Sequence, residues 1–293
     1  MRTAIVDIGS NSTRLLIAEV NESGDVEVVK TGLITTRIGE GIGKQSNLVR
    51  PAMERTIDAL LVFQDIIMET GAETVSAAAT SAVRDAANRA EFLSEVRKQV
   101  GWDIRVLSGA EEAELSYLGA TRGLNQDIPS PVVIDIGGGS TEFIWSAADQ
   151  LNCRSQRLGA VRMTENNSSF EEIKELLAGI LSSVNSQKPK SLVGVGGTLT
   201  TLAAVDQKLM VYDPAKVHGY CLYRQKVKEI LQLLEGMTIE KRRTLPGLMP
   251  ERADIIVAGV RIALAIMEGL HFDRLTVSES DILYGLLYQQ NMK

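Results

Sequence analysis

The sequence predicts an α/β fold in which one unit is used twice. Length is the first reason, because 293 residues suffice for two domains of ordinary size, each with its own core. The second is an internal repeat: Asp7-Ile8-Gly9-Ser10-Asn11-Ser12-Thr13 returns as Asp135-Ile136-Gly137-Gly138-Gly139-Ser140-Thr141, both of the form D-I-G-x-x-S-T. The third is that strand-like and helix-like patterns alternate between and beyond the two copies.

Each copy follows a short β-branched run, Ala4 to Val6 and Val132 to Ile134, and precedes another, Leu15 to Val20 and Glu142 to Trp145. Each therefore reads as strand, tight turn, strand. Pro51 to Thr70 places Met53, Ile57, Leu60, Leu61 and Ile67 at helical spacing, and Gly71 ends the helix. Thr74 to Ala79 reads as a strand, from whose end Thr80 to Asp85 begins a helix. Ser108-Gly109-Ala110-Glu111 has the S-x-x-E form of a capping box, which opens a helix from about Gly109 to Gly123 and gives Glu111 a structural task. Val193 to Thr198 is a third glycine turn after an apolar run, and it opens a helix through Leu202 to Val205. Ile255 to Leu270 is the most apolar stretch. Arg261 and Glu268 interrupt it, so it falls short of the roughly 20 apolar residues that cross a bilayer and reads as a buried helix. Asp281 to Gln290 is an amphipathic helix with Ile282, Leu283, Leu286 and Leu287 on one side.

A hairpin turn made of Gly and Ser offers several backbone N–H groups and hydroxyls to one anion, because glycine lets the backbone bend and approach closely. Phosphate is the natural guest. The Asp that ends each leading strand would repel phosphate and makes better sense holding a divalent cation or its water. The third turn, at a helix N-terminus, also suits an anion. Arg84 sits near a strand's C-terminal edge beside Thr80 and Ser81, where a guanidinium can take phosphate bidentately. Local sequence alone reads Glu112 as a surface helix residue. Other phosphate motifs fail. Gly39 to Gln45 resembles a P-loop but has one residue too few between its glycines and Gln45 where Ser or Thr is needed; Gly194-x-Gly196 lacks the third glycine of a dinucleotide fingerprint, with Leu199 in its place.

Composition is that of a globular chain, 44% hydrophobic and 23% charged. A net charge of −6 argues against coating nucleic acid through bulk positive charge, so a polyanionic substrate would require Arg and Lys concentrated locally. Lys188 with Lys190, and Lys241-Arg242-Arg243, read as solvated faces able to guide a polyanion. His218 and His271 have no partner histidine and read as structural or surface residues rather than ligands. No signal-type or membrane-spanning stretch is present, and Cys153 and Cys221, at no metal-ligand spacing, read as core residues of a protein from a reducing cytoplasm.

Together these motifs resemble the Ppx/GppA phosphatases, the exopolyphosphatases and guanosine pentaphosphate phosphohydrolases of the actin-like ATPase superfamily. The carriers are V-D-I-G-S-N-S at Val6 to Ser12, A-T-S-A-V-R at Ala79 to Arg84, S-G-A-E-E-A at Ser108 to Ala113, and V-I-D-I-G-G-G-S-T-E at Val133 to Glu142. G-V-G-G-T at Gly194 to Thr198, the His218-Gly219 pair and L-P-G-L-x-P-E-R-A-D at Leu245 to Asp254 complete the set, which spans nearly the whole chain. The resemblance implies an actin-like (ribonuclease H-like) duplicated two-domain fold with an interdomain cleft. It places domain one at 1–120, domain two at 121–280, and a last helix, 281–293, packing back on domain one.

The same resemblance implies that Glu112 orients or deprotonates the attacking water, and that Asp7, Asp135 and Glu142 place Mg2+ and water. Ser10, Asn11, Ser12, Arg14, Arg84, Gly137, Gly138, Gly139, Ser140 and Thr141 are its phosphate contacts, and a homodimer is its expected assembly. Longer members add an all-helical HD-type domain; no His-Asp pair follows Ser280 here, so a two-domain form is expected. The expected activity is hydrolysis of a terminal phosphoanhydride of polyphosphate or guanosine pentaphosphate, with no nucleic-acid or membrane partner. The competing expectations are a phosphotransferase or ATPase on the same scaffold and an alarmone-binding regulator without turnover.

Overall fold

The computed structural model describes residues 1–21, 26–41, 46–124, 128–147 and 150–291. The first half runs β1 (Arg2–Ile8), β2 (Thr13–Val20), β3 (Val26–Ile34), α1 (Arg50–Thr70), β4 (Thr74–Ala79), α2 (Ser81–Asp85), α3 (Arg89–Gln99), β5 (Ile104–Val106) and α4 (Gly109–Gly123). Its sheet has the order β3-β2-β1-β4-β5, antiparallel through β3, β2 and β1 and parallel from β1 to β5. The second half opens with β6 (Pro131–Ile136), β7 (Thr141–Ala147), β8 (Gln150–Gln156), α5 (Ala160–Glu165), α6 (Phe170–Asn185), β9 (Ser191–Val195) and α7 (Gly197–Asp206). It continues with α8 (Pro214–Val217), β10 (Cys221–Tyr223), α9 (Arg224–Glu235), α10 (Ile239–Arg242), a 3-10 turn at Pro250–Arg252, α11 (Ile256–Gly269), β11 (Arg274–Val277) and α12 (Ile282–Asn291).

The second sheet has the order β10-β11-β9-β6-β7-β8. With β10 set aside, β8-β7-β6-β9-β11 repeats β3-β2-β1-β4-β5 strand for strand, in the same relative directions. The repeat read from two heptads is thus a repeat of the whole five-stranded unit. β3 and β8 escaped the sequence reading because they are largely exposed edge strands with no clean apolar alternation.

Both sheets are covered on both faces, which explains why β1 and β6 read as continuous apolar runs. Ala4, Val6 and Ile8 of β1 face a core shared with Met53, Leu60 and Phe63 of α1 and Phe92 of α3. Ile5 points the other way, to Leu283, Leu286 and Leu287 of α12. In the second sheet Ile134 and Phe143 pack with α6, α7, α9 and α11, while Val133, Ile144 and Val193 meet Ala113 and Ala120 of α4. The apolar stretch near the C-terminus is buried as expected, and among the described residues no helix is long and apolar enough to cross a membrane.

Two helices, α4 and α12, lie between the sheets and touch backbone to backbone. A Cβ on Gly119 would run into Asp281 O, and one on Gly285 into Leu115 O, so only glycine permits this crossing. Leu115 of α4 belongs to the first core and Ala113 and Ala120 to another, and the expected division after residue 120 falls inside this helix. α12 packs on the first sheet; residues 292 and 293 of the expected helix, and residues 42–45 of the P-loop-like turn, lie outside the described residues. Cys153 and Cys221 are half-buried rather than core residues, because each sits at or next to an edge of the second sheet.

Candidate active site

The two D-I-G turns adopt one geometry. In each, the first glycine N–H donates to the serine carbonyl three residues on, Gly9 to Ser12 O at 3.1 Å and Gly137 to Ser140 O at 3.0 Å. Segments following β3 and β8 brace them from behind: Arg37 and Gly39 N–H bond the carbonyls of Asn11 and Ser10, and Ala160 and Val161 N–H bond those of Gly137 and Gly138. The carbonyls are thereby occupied, while Ser10, Asn11, Gly138 and Gly139 keep backbone N–H groups with no backbone acceptor among the described residues. The turns meet: a Cβ on Gly138 would lie 2.9 Å from Ser10 Cβ, and one on Gly139 2.7 Å from Ser81 Oγ. Ser10 Oγ also bonds Ser81 Oγ at 3.0 Å, which brings the start of α2 to the same place.

These turns line one cleft of about 690 Å3, counting its open mouth. Its walls take in Asp7, Ser10, Asn11, Ser12, Arg14, Glu112, Asp135, Gly137, Gly138 and Ser140 from the expected site. The third glycine turn joins them through Gly196, Gly197 and Thr198. Gly196 has φ +88°, and a Cβ there would stand 2.5 Å from Asp135 Oδ1. A side chain is excluded twice over, by backbone strain and by the carboxylate.

Glu112 owes its position to the helix cap. Ser108 Oγ accepts the Glu111 N–H and Glu111 Oε2 accepts the Ser108 N–H, a complete capping box, and Glu111 turns outward to Arg105 at 2.7 Å. The next residue is rotated by about 100° around the helix. That rotation points Glu112 into the cleft, where it is only 7% exposed. Arg84 Nη1 grips Glu112 Oε2 at 2.7 Å and Leu107 O at 3.0 Å. Burial nevertheless dominates and pushes the Glu112 carboxyl up to about 7, against the pull of Arg84. Burial, followed by the charge of Asp281, raises Asp135 to about 6; burial raises Asp7 and Glu142 as well.

Several expected contacts stand elsewhere. Thr141 does not line the cleft: its hydroxyl is fully buried and donates to Leu158 O at 2.6 Å, and its counterpart Thr13 likewise bonds Thr36. Glu142 lies behind the wall, 1% exposed, with Ser155 Oγ donating to it at 2.7 Å. Arg84 is held by Glu112 and does not line the cleft, and Gly139 packs between Ser10 and Ser81. Arg14 does line it, with Nη2 on Asp7 Oδ2 at 2.6 Å and Nη1 on Asp281.

Arg252 is a cleft residue to which sequence reasoning gave no role. Its guanidinium lies against Gly197, with no hydrogen bond or ion pair to it among the described residues. Burial, then the charge of Arg14, lowers it to about 10, so it remains a cation at neutral pH. The signal was the P-E-R-A-D run, which named the residue without saying where it points. One histidine is structural and the other a surface residue, within the expectation: His218 accepts the Glu279 N–H at Nδ1 and places Nε2 3.0 Å from Gly123 O, while His271 is an exposed residue at φ +61°. Arg242 of the basic triplet is spent on the carbonyls of Leu234 and Ala253.

The comparisons agree with this arrangement. The sequence model of the Ppx/GppA phosphatase family matches residues 16–293. Exopolyphosphatase 2 of Mycobacterium tuberculosis is 34% identical over 97% of both chains. The guanosine-5'-triphosphate,3'-diphosphate pyrophosphatase of Vibrio atlanticus is 30% identical over 98% of this chain and 58% of its own. A crystal structure of the Aquifex aeolicus member of the Ppx/GppA family superposes with a TM-score of 0.80 at 31% identity, covering 100% of this chain and 98% of that one. With an actin-like duplicated fold, paired glycine-serine turns in one cleft and these matches along its length, the chain belongs to the Ppx/GppA phosphatase family.

Proposed function

We propose that this protein hydrolyses the terminal phosphoanhydride bond of inorganic polyphosphate or guanosine pentaphosphate and releases orthophosphate. The observation that carries the reading is the meeting of two glycine-serine turns and a buried carboxylate, Glu112, in one cleft. The names of the Mycobacterium and Vibrio relatives support the substrate class.

In this reading the N–H groups of Ser10, Asn11 and Gly138, which have no backbone acceptor among the described residues, and the hydroxyls of Ser10 and Ser12 bind the oxygens of the terminal phosphoryl group. Arg252 and the N-terminus of α7 add positive charge from a third side. Glu112 takes the proton of the attacking water, a task suited to a carboxylate whose affinity for protons has been raised towards neutrality. Arg84 acts through Glu112, fixing its orientation, and is a positioning residue.

The donor set suits a divalent cation such as Mg2+. Asp7 Oδ1 is buried without a hydrogen-bond partner, and Asp135 lines the same cleft. Among the described residues no three His, Cys, Asp or Glu side chains form a ready-made cage, so Asp7 and Asp135 would hold the ion with water and substrate oxygens completing its shell. Such an ion supplies neutralisation of charge on the phosphoryl oxygens.

The test is orthophosphate release from long-chain polyphosphate, guanosine pentaphosphate and ATP, with Mg2+ and no acceptor. Release from either of the first two is expected. Transfer to ADP without release would establish a phosphotransferase instead, and binding of guanosine pentaphosphate without release a regulator.

A further inference from the structure

A chain with a net charge of −6 must find local positive charge to hold a polyanion. It is concentrated around Asp85, the last residue of α2. Arg157 reaches Asp85 Oδ2 at 3.3 Å, Arg162 reaches the same oxygen at 3.4 Å, and Arg84 Nε lies 3.8 Å from Oδ1. A fourth guanidinium, that of Arg89, bonds the Arg84 carbonyl at 3.1 Å. The ring is built rather than scattered. Arg162 has a side chain 9% exposed and is anchored through Nε to Gly139 O at 2.8 Å, on the second phosphate turn. Arg157, by contrast, has a side chain 72% exposed and is free to reorient.

We propose that this arginine ring is a subsite for the phosphoryl groups trailing behind the scissile one in a linear polyphosphate, with Asp85 as a placeholder that the chain displaces. The inference rests on the hydrolase reading above. Its position fits: α2 begins at Ser81 in the cleft and ends at Asp85, a length of roughly 7 Å along the helix. Its charge fits as well. Glu112 is engaged by Arg84, and among the described residues Asp85 is the carboxylate within salt-bridge distance of Arg157 and Arg162, with Glu165 acting on Arg162 by charge; guanidinium forks match phosphate oxygens as well as they match carboxylate. Arg157 and Arg162 come from the second half and Asp85 from the first, so a chain laid here would also bridge the two halves.

The experiment compares KM for long-chain inorganic polyphosphate with KM for inorganic tripolyphosphate, which offers only two phosphoryl groups behind the scissile one. Arg157→Ala should raise the long-to-short KM ratio about three- to fivefold, the size expected for one solvent-exposed charge contact. Asp85→Asn should lower the ratio, because the competing carboxylate is gone. An unchanged ratio in Arg157→Ala would overturn the proposal, as would a rise in both variants, which would reduce the ring to a latch between the halves. Should the wild type release orthophosphate from neither substrate, the hydrolase reading fails separately. Direct titration with long-chain polyphosphate then carries the test, with weaker binding by Arg157→Ala and tighter binding by Asp85→Asn expected.

Discussion

The two D-I-G hairpins share a backbone and differ in charge. Both close with the same Gly N–H to Ser O bond, and both leading aspartates sit in register with a residue on the partner strand. In the first hairpin that residue is Arg14, so Asp7 is paired with a cation, and Asp281, the residue before α12, shares the guanidinium. In the second it is Glu142, so Asp135 faces another carboxylate, and burial raises both, with Ser116 and Arg14 pulling Asp135 only part of the way back. Duplication therefore preserved the hairpin turn and let the flanking charge diverge: the first copy carries a salt bridge, the second a facing pair of carboxylates. The repeated threonine is structural in both, pinning the segment that follows the third strand.

The largest effect is expected at the residue belonging to neither hairpin. Glu112→Gln should cut kcat by about 10²- to 10⁴-fold with a much smaller change in KM. In the wild type kcat/KM should fall about tenfold per pH unit below about 7, because protonation removes the base, and this acid limb should disappear in the variant. A retained limb would assign the titration to another group. Next, making the first hairpin as acidic as the second by Arg14→Glu should cost about 3–5 kcal/mol in urea unfolding, since Asp7 and Asp281 lose their shared partner and meet a third carboxylate. An unchanged midpoint would show that the charge difference between the hairpins has no structural weight.

Gly196→Ala should destabilise by about 1–3 kcal/mol through its positive φ and its approach to Asp135. Gly179→Ala, in a helix with open space around it, should instead stabilise by about 0.5–1 kcal/mol. Thr141→Val is the smallest, about 1 kcal/mol for the lost bond to Leu158 with KM little changed. A large rise in KM there would return Thr141 to the phosphate site.

Much of this was legible locally. The heptads, the capping box at Ser108, the helix ended by Gly71 and the strand Thr74–Ala79 are short-range features, set by residues within a few positions of one another. What escaped was long-range. Nothing near Arg84 says that its guanidinium will be held by a glutamate from another element, and nothing near Arg252 says that it will lie on Gly197. Glu112 is the clearest case: by local pattern a surface residue, by position on a capped helix wedged between two sheets a buried one. The edge strands β3 and β8 escaped for a different reason, since exposure removed the alternation by which strands are recognised.

By itself the sequence determined the turns, the caps and the fact of duplication, because backbone conformation follows from glycine freedom, side-chain capping and the period of apolar residues. Only the tertiary structure decided which carboxylates lie buried together, which arginines neutralise them and which remain available to a polyanion. Those outcomes depend on distance and desolvation between groups far apart in the chain, and neither quantity exists until α4 and α12 have closed the two sheets upon one cleft.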